Sequence, residues 1–569
     1  MELPNLVRRR LRLAALVSLV AFTIVWARFF YLQVIIHPYL ASLAAAQYKE
    51  KIVLPPTRGI ITDRYGNPLV LNDTVYNIYA SPSYLNLSEK KAVASRLSKV
   101  LGISYSNLLK QLMTKSGFVY LAKGEPQSVA NAVSQLDLPT VGVQQQTVPY
   151  FMPGAEPDTS IAANLIGFVD ANGVGQYGVE GYYNKLLAGT PGYIYAYRDI
   201  AGNPVATAPE KVVQPKNGYS LELSLNSNIQ LVAEQALATA VKKYGASWGS
   251  LIVLNTHTGG IIAYADFPSF NANKYYTYPT SRFFDHNISG LYEPGSVMKV
   301  VTLSGALDDG AITPNYSFDE LGYWKVDGYT IRDWDLKAHG WINMTYVLEQ
   351  SLNVGAIKAE SLEGNQKFYH YLKAFGFGRP TGVDLQGETY APLKPLSQWP
   401  QVQIDTASFG QGIDVTPIQM VTAVNAVAND GILVEPHAVR AIINPQTGKV
   451  TYVKPKVDGR VISVKAAEEM KQMMNAVVAD GSGWTAQISG YVPEEAGKTG
   501  TSNIPVNGHY TGMTWASYAG FMPLHNTKFT MLVIIDNPKI LFEGTFCAAP
   551  VWKVVAKALI DWYHIPPAS

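Results

Sequence analysis

The chain has 569 residues with 45 basic against 43 acidic side chains, a net charge of +2. That balance gives no reason to expect nucleic acid as a partner. One cysteine, Cys547, excludes a disulfide scaffold and a thiolate metal cluster, and the nine histidines form no HExxH pair.

The length exceeds one compact core, so two or more domains are expected. The first segment sets the compartment. Arg8, Arg9, Arg10 and Arg12 form a basic cluster, and Leu13 to Ala27 follows without a charge. Arg28 interrupts the apolar run, which continues to Ile36, and Trp26, Phe29, Phe30 and Tyr31 suit an interfacial aromatic belt. The competing reading, a cleaved signal peptide, lacks a small-x-small site. The expectation is therefore an uncleaved transmembrane anchor over 13–36. Residues 1–12 form a cytoplasmic tail, and everything beyond the anchor lies outside the cytoplasm.

From 37 to 216 the chain mixes short strand-like runs and turns. Ser88 to Leu101 reads as an amphipathic helix capped by Ser88. The run QPKNG at 214–218 punctuates the chain, and a second domain is expected over 217–569. In it, Tyr219 to Leu225 alternates like a strand and Asn228 to Lys243 reads as a helix. Ser250 to Ala265 reads as a hairpin, Ser517 to Met522 and Phe529 to Ile535 bracket another turn, and Ala549 to Tyr563 closes as a helix. Strands at both ends with helices between predict an antiparallel sheet whose central strands come from distant sequence. No fixed-period repeat is present.

The chemistry gathers in three short motifs. In YEPGSVMKVVT, Pro294-Gly295 makes a turn and Ser296 opens a helix running to about Leu307, stopped by Asp308-Asp309-Gly310. Positions i and i+3 share a helical face, so Ser296 Oγ and Lys299 Nζ can meet. Apolar neighbours strip water from the lysine and lower its pKa, and a neutral amine can then take the serine proton. The Ser296 N–H would face a developing oxyanion. SxxK alone is weak: Ser88 and Lys91 fit it too. Ser351-Leu352-Asn353 adds an SxN element whose hydroxyl can relay a proton and whose amide can hold a peptide. Lys498-Thr499-Gly500-Thr501 adds a KTGT element on an expected strand. There Gly497 and Gly500 admit a close backbone, and Lys498 attracts a carboxylate and helps keep Lys299 neutral. Each triplet has decoys, such as Ser224-Leu225-Asn226, Ser269-Phe270-Asn271 and Lys115-Ser116-Gly117. The order SxxK, SxN, KTG, with spacings of 55 and 147 positions, fits a single catalytic domain.

With YEPGSVMK, SLNVGA and GKTGT in that order, the chain resembles the penicillin-recognising serine acyltransferases. RGIITDRYGNPLV (58–70) and GVEGYYNKLLAGTPG (178–192) narrow the resemblance to the class B, monofunctional penicillin-binding proteins. SFGQGIDVTPIQM (408–420), SYAGFMP (517–523) and CAAPVWKVVAKALIDWYHIPP (547–567) do the same. EPGS, SFGQGI and SYAGFMP resemble the division and sporulation branch. An Arg-x-Tyr-Pro pedestal motif appears only as PYFMPG (149–154). The resemblance includes neither PASTA repeats after Pro567 nor a glycosyltransferase domain before the pedestal.

The resemblance implies a multidomain α+β protein. After the single anchor come an elongated mixed α/β pedestal of the penicillin-binding-protein dimerisation type and a serine β-lactamase-like transpeptidase domain with a five-stranded antiparallel sheet. It implies a D,D-transpeptidase acting on stem peptides ending in D-Ala-D-Ala, with β-lactams as inhibitors and no metal or organic cofactor. Ser296 would be the nucleophile and Lys299 its base. Ser351 and Lys498 would pass the proton to the leaving D-Ala. Asn353, Thr499, Gly500 and Thr501 would hold the peptide, and the Ser296 and Thr501 N–H groups would form the oxyanion hole. A SEDS-type glycosyltransferase and other divisome membrane proteins are the implied partners, in septal synthesis. Two alternatives stand beside this: a D,D-carboxypeptidase or β-lactamase-type hydrolase, and a non-catalytic β-lactam sensor or scaffold. Cys547 reads as a buried, inert thiol.

Overall fold

The computed structural model describes residues 4–41, 49–197 and 211–568. Residues 1–3 of the expected tail, and 42–48 and 198–210 of the expected pedestal, lie outside the described residues. The chain divides into two compact units, Met1–Pro56 with Gly189–Asn217, and Thr57–Ala188 with Gly218–Ser569.

The first unit carries the apolar helix Asn5–Phe30, prolonged by a wider turn over Tyr31–Ile35. These 31 residues are long and apolar enough to cross a membrane, and none of the apolar stretch is buried within the protein. This fits a single-pass membrane anchor. Arg28 lies over the Tyr31 ring, 5.5 Å from its centroid, a pairing suited to the interface. The unit also holds a three-stranded sheet of Lys49–Leu54, Gly192–Tyr197 and Lys211–Val213.

In the second unit a seven-stranded sheet joins distant parts of the chain. Pro68–Ala80 pairs along its length with Val141–Phe151. Ile61–Thr62 runs parallel to Ser220–Leu223, which in turn pairs with Val439–Ile443. Two of the recurring motifs lock together here. Arg58 forms an ion pair with buried Glu180 and donates to Asn184 Oδ1 at 3.1 Å. Burial raises the Glu180 pKa, and Arg58 opposes the rise. The buried Asp63 carboxylate accepts from the Tyr65 and Asn67 N–H groups at 2.8 and 2.9 Å and from Ser227 Oγ at 2.7 Å. One side chain thus closes the TDRYGN turn and pins it to the start of the first helix beyond residue 217.

The helix expected from Ser88 spans Leu87–Leu101, and its cap is Asn86 rather than Ser88. Asn86 Oδ1 accepts from the Glu89 N–H, and Glu89 returns a bond to the Asn86 N–H. That reciprocal box satisfies two helix-end donors at once, which Ser88, two residues too late, does not.

The catalytic half is built on a five-stranded antiparallel sheet. Its strands are β1 (Trp248–Asn255), β2 (Ile261–Phe267), β3 (Ala496–Val506), β4 (His509–Met522) and β5 (Phe529–Asp536), in the order β2-β1-β5-β4-β3. The central strand β5 is buried at every position. Alternation still sorts its side chains: Phe529, Met531, Val533 and Ile535 enter one core, Leu532 and Ile534 the other. Helices α1 (Ser227–Tyr244) and α6 (Ala549–Tyr563) supply the first core. The second core contains α2 (Lys299–Asp308) and α4 (Asn353–Glu363), which carry two of the three motifs. Two short helices complete the surroundings, α3 (Met344–Glu349) and α5 (Gly544–Cys547). β3 is an edge strand, so one of its sides pairs with β4 and the other is free of any strand.

Candidate active site

The sequence motifs converge on one cleft of about 690 Å³ lined by Ser296, Ser351, Asn353, Thr499 and Thr501. Ser296 does not open a regular helix. It sits in a 3-10 turn, Gly295–Met298, and α2 begins at Lys299. The turn is braced from behind by the SFGQGID segment. Gly295 N–H donates to Gly410 O at 3.0 Å, and Thr302 Oγ1 donates to Ser408 O at 2.7 Å. Gly410 has φ +82°, and a Cβ there would lie 2.2 Å from Gly295 O, so both its conformation and the contact require glycine.

Glu293, three residues before Ser296, joins three segments. Its carboxylate accepts from the Gly412 N–H at 2.9 Å and from Tyr510 Oη at 3.0 Å, and its carbonyl accepts from Ser502 Oγ at 2.6 Å. Burial lifts the Glu293 pKa to about 7 against the pull of the Gly412 N–H.

Lys299 and Lys498 are both fully buried. Lys299 Nζ donates to the Ser351 carbonyl at 2.6 Å and to Asn353 Oδ1 at 2.9 Å. Lys498 Nζ reaches the Ser351 hydroxyl at 2.8 Å. Ser296 Oγ hydrogen-bonds to neither lysine among the described residues; such contacts tighten when a substrate is bound. Ser351 is held at φ +61°, a conformation costly for a non-glycine residue and typical of functional turns. That turn aims its carbonyl at one lysine and its hydroxyl at the other.

Burial lowers Lys299 to about 7, and the nearby Asp333 charge partly opposes the fall. Burial also brings Lys498 well below the ordinary lysine range, and the Lys299 charge adds to that. Burial is the larger cause for both amines, and the repulsion expected between them is present. Dehydration favours the neutral form of Lys299, and the repulsion between the two amines disfavours charging both at once.

Asp333 escaped the sequence analysis. Its Oδ1 accepts the N–H groups of Asn353 and Val354, the latter at 3.0 Å, and so caps α4. Burial raises Asp333 to about 6. Behind it, His339 Nδ1 bonds Glu320 Oε2 at 2.7 Å and His339 Nε2 bonds Asp335 Oδ2 at 3.1 Å. Glu320, Asp333 and His339 each present a ligand atom within 4.8 Å of the others, and are the residues able to hold a cation among those described. Hydrogen bonds already account for the His339–Glu320 contact.

KTGT lies on β3 as expected. A Cβ on Gly500 would stand 2.3 Å from Ser517 Oγ and 2.9 Å from Pro294 O, and one on Gly497 would meet the Tyr518 hydroxyl at 2.0 Å. The glycines let β4 and the Ser296 turn approach β3 closely. Thr499 Oγ1 pairs with Ser482 Oγ at 2.9 Å, and Thr501 Oγ1 accepts from Gly544 N–H at 3.2 Å. The cleft thus combines a serine hydroxyl at a 3-10 turn, two buried amines bridged by a second serine, and a hydroxyl-bearing edge strand. That set suits acyl transfer through a covalent serine ester.

Comparison with known proteins agrees. The penicillin-binding protein transpeptidase domain matches residues 249–559, and the penicillin-binding protein dimerisation domain matches residues 53–223. Stage V sporulation protein D of Bacillus subtilis is 31% identical over 97% of this chain and 86% of its own length. Peptidoglycan D,D-transpeptidase FtsI of Escherichia coli is 27% identical over 100% of this chain and 94% of its own. Among solved structures, penicillin-binding protein 3 of Mycobacterium tuberculosis complexed with aztreonam superimposes with a TM-score of 0.70 at 25% identity, over 91% of this chain and 98% of that one. The chain belongs to the class B penicillin-binding proteins, in the division and sporulation group that joins a dimerisation domain to a transpeptidase domain.

Proposed function

We propose that this protein is a membrane-anchored peptidoglycan D,D-transpeptidase that cross-links stem peptides through an acyl-enzyme on Ser296 and is inhibited by β-lactams. The observation that carries the reading is the convergence of two buried amines on Ser351, at 2.6 and 2.8 Å, beside the Ser296 cleft.

Lys299, neutral in about half of the molecules at neutral pH, takes the Ser296 proton as Oγ attacks the penultimate carbonyl. The N–H groups of Ser296 and Thr501 receive the oxyanion. The C–N bond breaks, and the proton that Lys299 took from Ser296 passes on by way of the Ser351 hydroxyl, which Lys498 holds, to the departing D-Ala amine. Asn353, Thr499, Gly500 and Thr501 hold the donor peptide along the free edge of β3, as an added strand. An amine from a neighbouring stem then attacks the ester, its proton returns by the same route to Lys299, and Lys299 gives it to Ser296 Oγ as the ester bond breaks.

The arginines at 8, 9, 10 and 12 favour a cytoplasmic tail over 1–12, a span over 13–36 and an outer location for the pedestal (37–216) and transpeptidase (217–569) regions. Membership of the division and sporulation group supports a role in septal synthesis, with a SEDS-type glycosyltransferase and other divisome membrane proteins as partners. Deleting residues 1–40 should weaken glycan polymerisation by that partner; unchanged polymerisation would remove the anchor from the contact.

The reaction is tested by supplying nascent glycan strands carrying pentapeptide stems and separating the digest by mass. Cross-linked dimers with release of D-Ala are expected from the wild type and not from Ser296→Ala. Trimmed monomers without dimers would make the enzyme a hydrolase.

A further inference from the structure

The loop 480–483 forms a wall of the cleft that no motif announces. Ser482 lines the cleft together with Ser296. Its backbone is fixed at both ends: the N–H donates to Glu349 O at 3.1 Å, at the end of α3, and the carbonyl accepts from Thr545 Oγ1 at 2.9 Å, on α5. Gly481 permits this approach, since a Cβ there would stand 2.5 Å from Glu349 O. The Ser482 hydroxyl is therefore held in place rather than swinging at a loop tip.

Its only hydrogen-bond partner among the described residues is Thr499 Oγ1, at 2.9 Å. Two hydroxyls that face each other own two protons and use one between them. If Thr499 donates to Ser482, the Ser482 proton has no acceptor in the protein. If Ser482 donates, the Thr499 proton is left for the cleft or for Lys498 Nζ, 3.4 Å away. With Thr499 donating, the pair offers the Ser482 O–H to the cleft. Thr501 Oγ1, which accepts from Gly544 N–H, offers a second. Two donors on one wall match the two oxygens of a carboxylate.

We propose that Ser482 is a further donor-binding residue, which pairs with Thr499 to present a hydroxyl to the terminal carboxylate of the donor peptide or of a β-lactam. The inference rests on the acyl-transfer reading above. Burial works against the charge of Lys498, and hydroxyls on this wall supply anion binding that does not depend on it.

The test is stopped-flow acylation of the full-length protein in detergent, resolving the binding constant Kd from the acylation rate k2. The probes are benzylpenicillin and its methyl ester, which lacks the carboxylate. Losing one hydrogen bond to a charged group should raise Kd for benzylpenicillin by about tenfold in Ser482→Ala, with k2 little changed. Ser482→Thr, which keeps the hydroxyl, should restore it, and the ester should not distinguish Ser482→Ala from wild type. If the ester acylates neither protein, the Kd comparison with its threonine rescue decides alone. An unchanged Kd, a loss confined to k2, or an equal loss with the ester would overturn the role. A wild type that takes no acyl group at all would instead sink the acyl-transfer reading itself.

Discussion

The acylation rate should follow the ionisation of Lys299. Its amine is fully buried and held at about 7, burial outweighing the opposing charge of Asp333. At pH 7 about half of the molecules carry the neutral amine, against roughly one in three thousand for a lysine in water. The fold thus makes the base about a thousandfold more available. Protonation removes the base, so the rate should fall tenfold per pH unit well below 7 and level off above 8. The assay is stopped-flow acylation by a fluorescent penicillin from pH 5.5 to 9.5. Two variants assign the midpoint. Asp333→Asn deletes a charge that raises Lys299, so the midpoint should move to lower pH. Glu293 is also held near 7, but Glu293→Gln should leave the midpoint in place. A flat profile, a midpoint near 10, or an alkaline move in Asp333→Asn would refute the reasoning.

Further outcomes follow from contacts around the cleft. Glu293→Ala strands the half-buried Gly412 N–H and should cost about 1–3 kcal/mol; the exposed Tyr510 hydroxyl can turn to water. Thermal unfolding should show a much smaller loss for Glu293→Gln, whose amide oxygen still accepts. Gly500→Ala brings a methyl to 2.3 Å from Ser517 Oγ and 2.9 Å from Pro294 O. That overpacking should cost about 1–3 kcal/mol, and displacement of the Ser296 turn should slow acylation at least tenfold in the same assay. Cys547 is buried, its Sγ donates to Glu543 O at 3.1 Å, and burial pushes the thiol up to about 12. N-ethylmaleimide should therefore leave the folded protein's mass unchanged and add one group after unfolding.

The site was legible where chemistry is written in short spacings. Ser296 and Lys299 stand three residues apart, Ser351 stands in the turn that leads into α4 at Asn353, and Lys498 and Thr501 share β3, so three motifs sufficed to find the cleft. What could not be read depends on chain segments that meet only after folding. Asp333 reaches α4 from a hairpin region twenty residues upstream. Ser482 meets Thr499 from a loop with no pattern of its own. Burial of Lys498 comes from tertiary packing around β3 and works against the charge the sequence suggested. The seven-stranded sheet was equally hidden, since Ile61–Thr62 is too short to show alternation and pairs with a strand near residue 220. β4 begins at His509, earlier than the apolar run from Ser517, because its first residues lie in an exposed hairpin and need no apolar alternation. The Asn86 cap, by contrast, was present in the letters: Glu89 stands three residues after Asn86, and the adjacent Ser88 drew the assignment away.

The central claim is that Ser296 becomes covalently acylated. It is tested most directly by intact mass after incubation with benzylpenicillin, followed by peptide mapping. The account predicts one adduct of the mass of the drug, slow to decay, located on the peptide containing Ser296 and absent from Ser296→Ala. An adduct that persists in Ser296→Ala, or no adduct in a folded wild type, would contradict it.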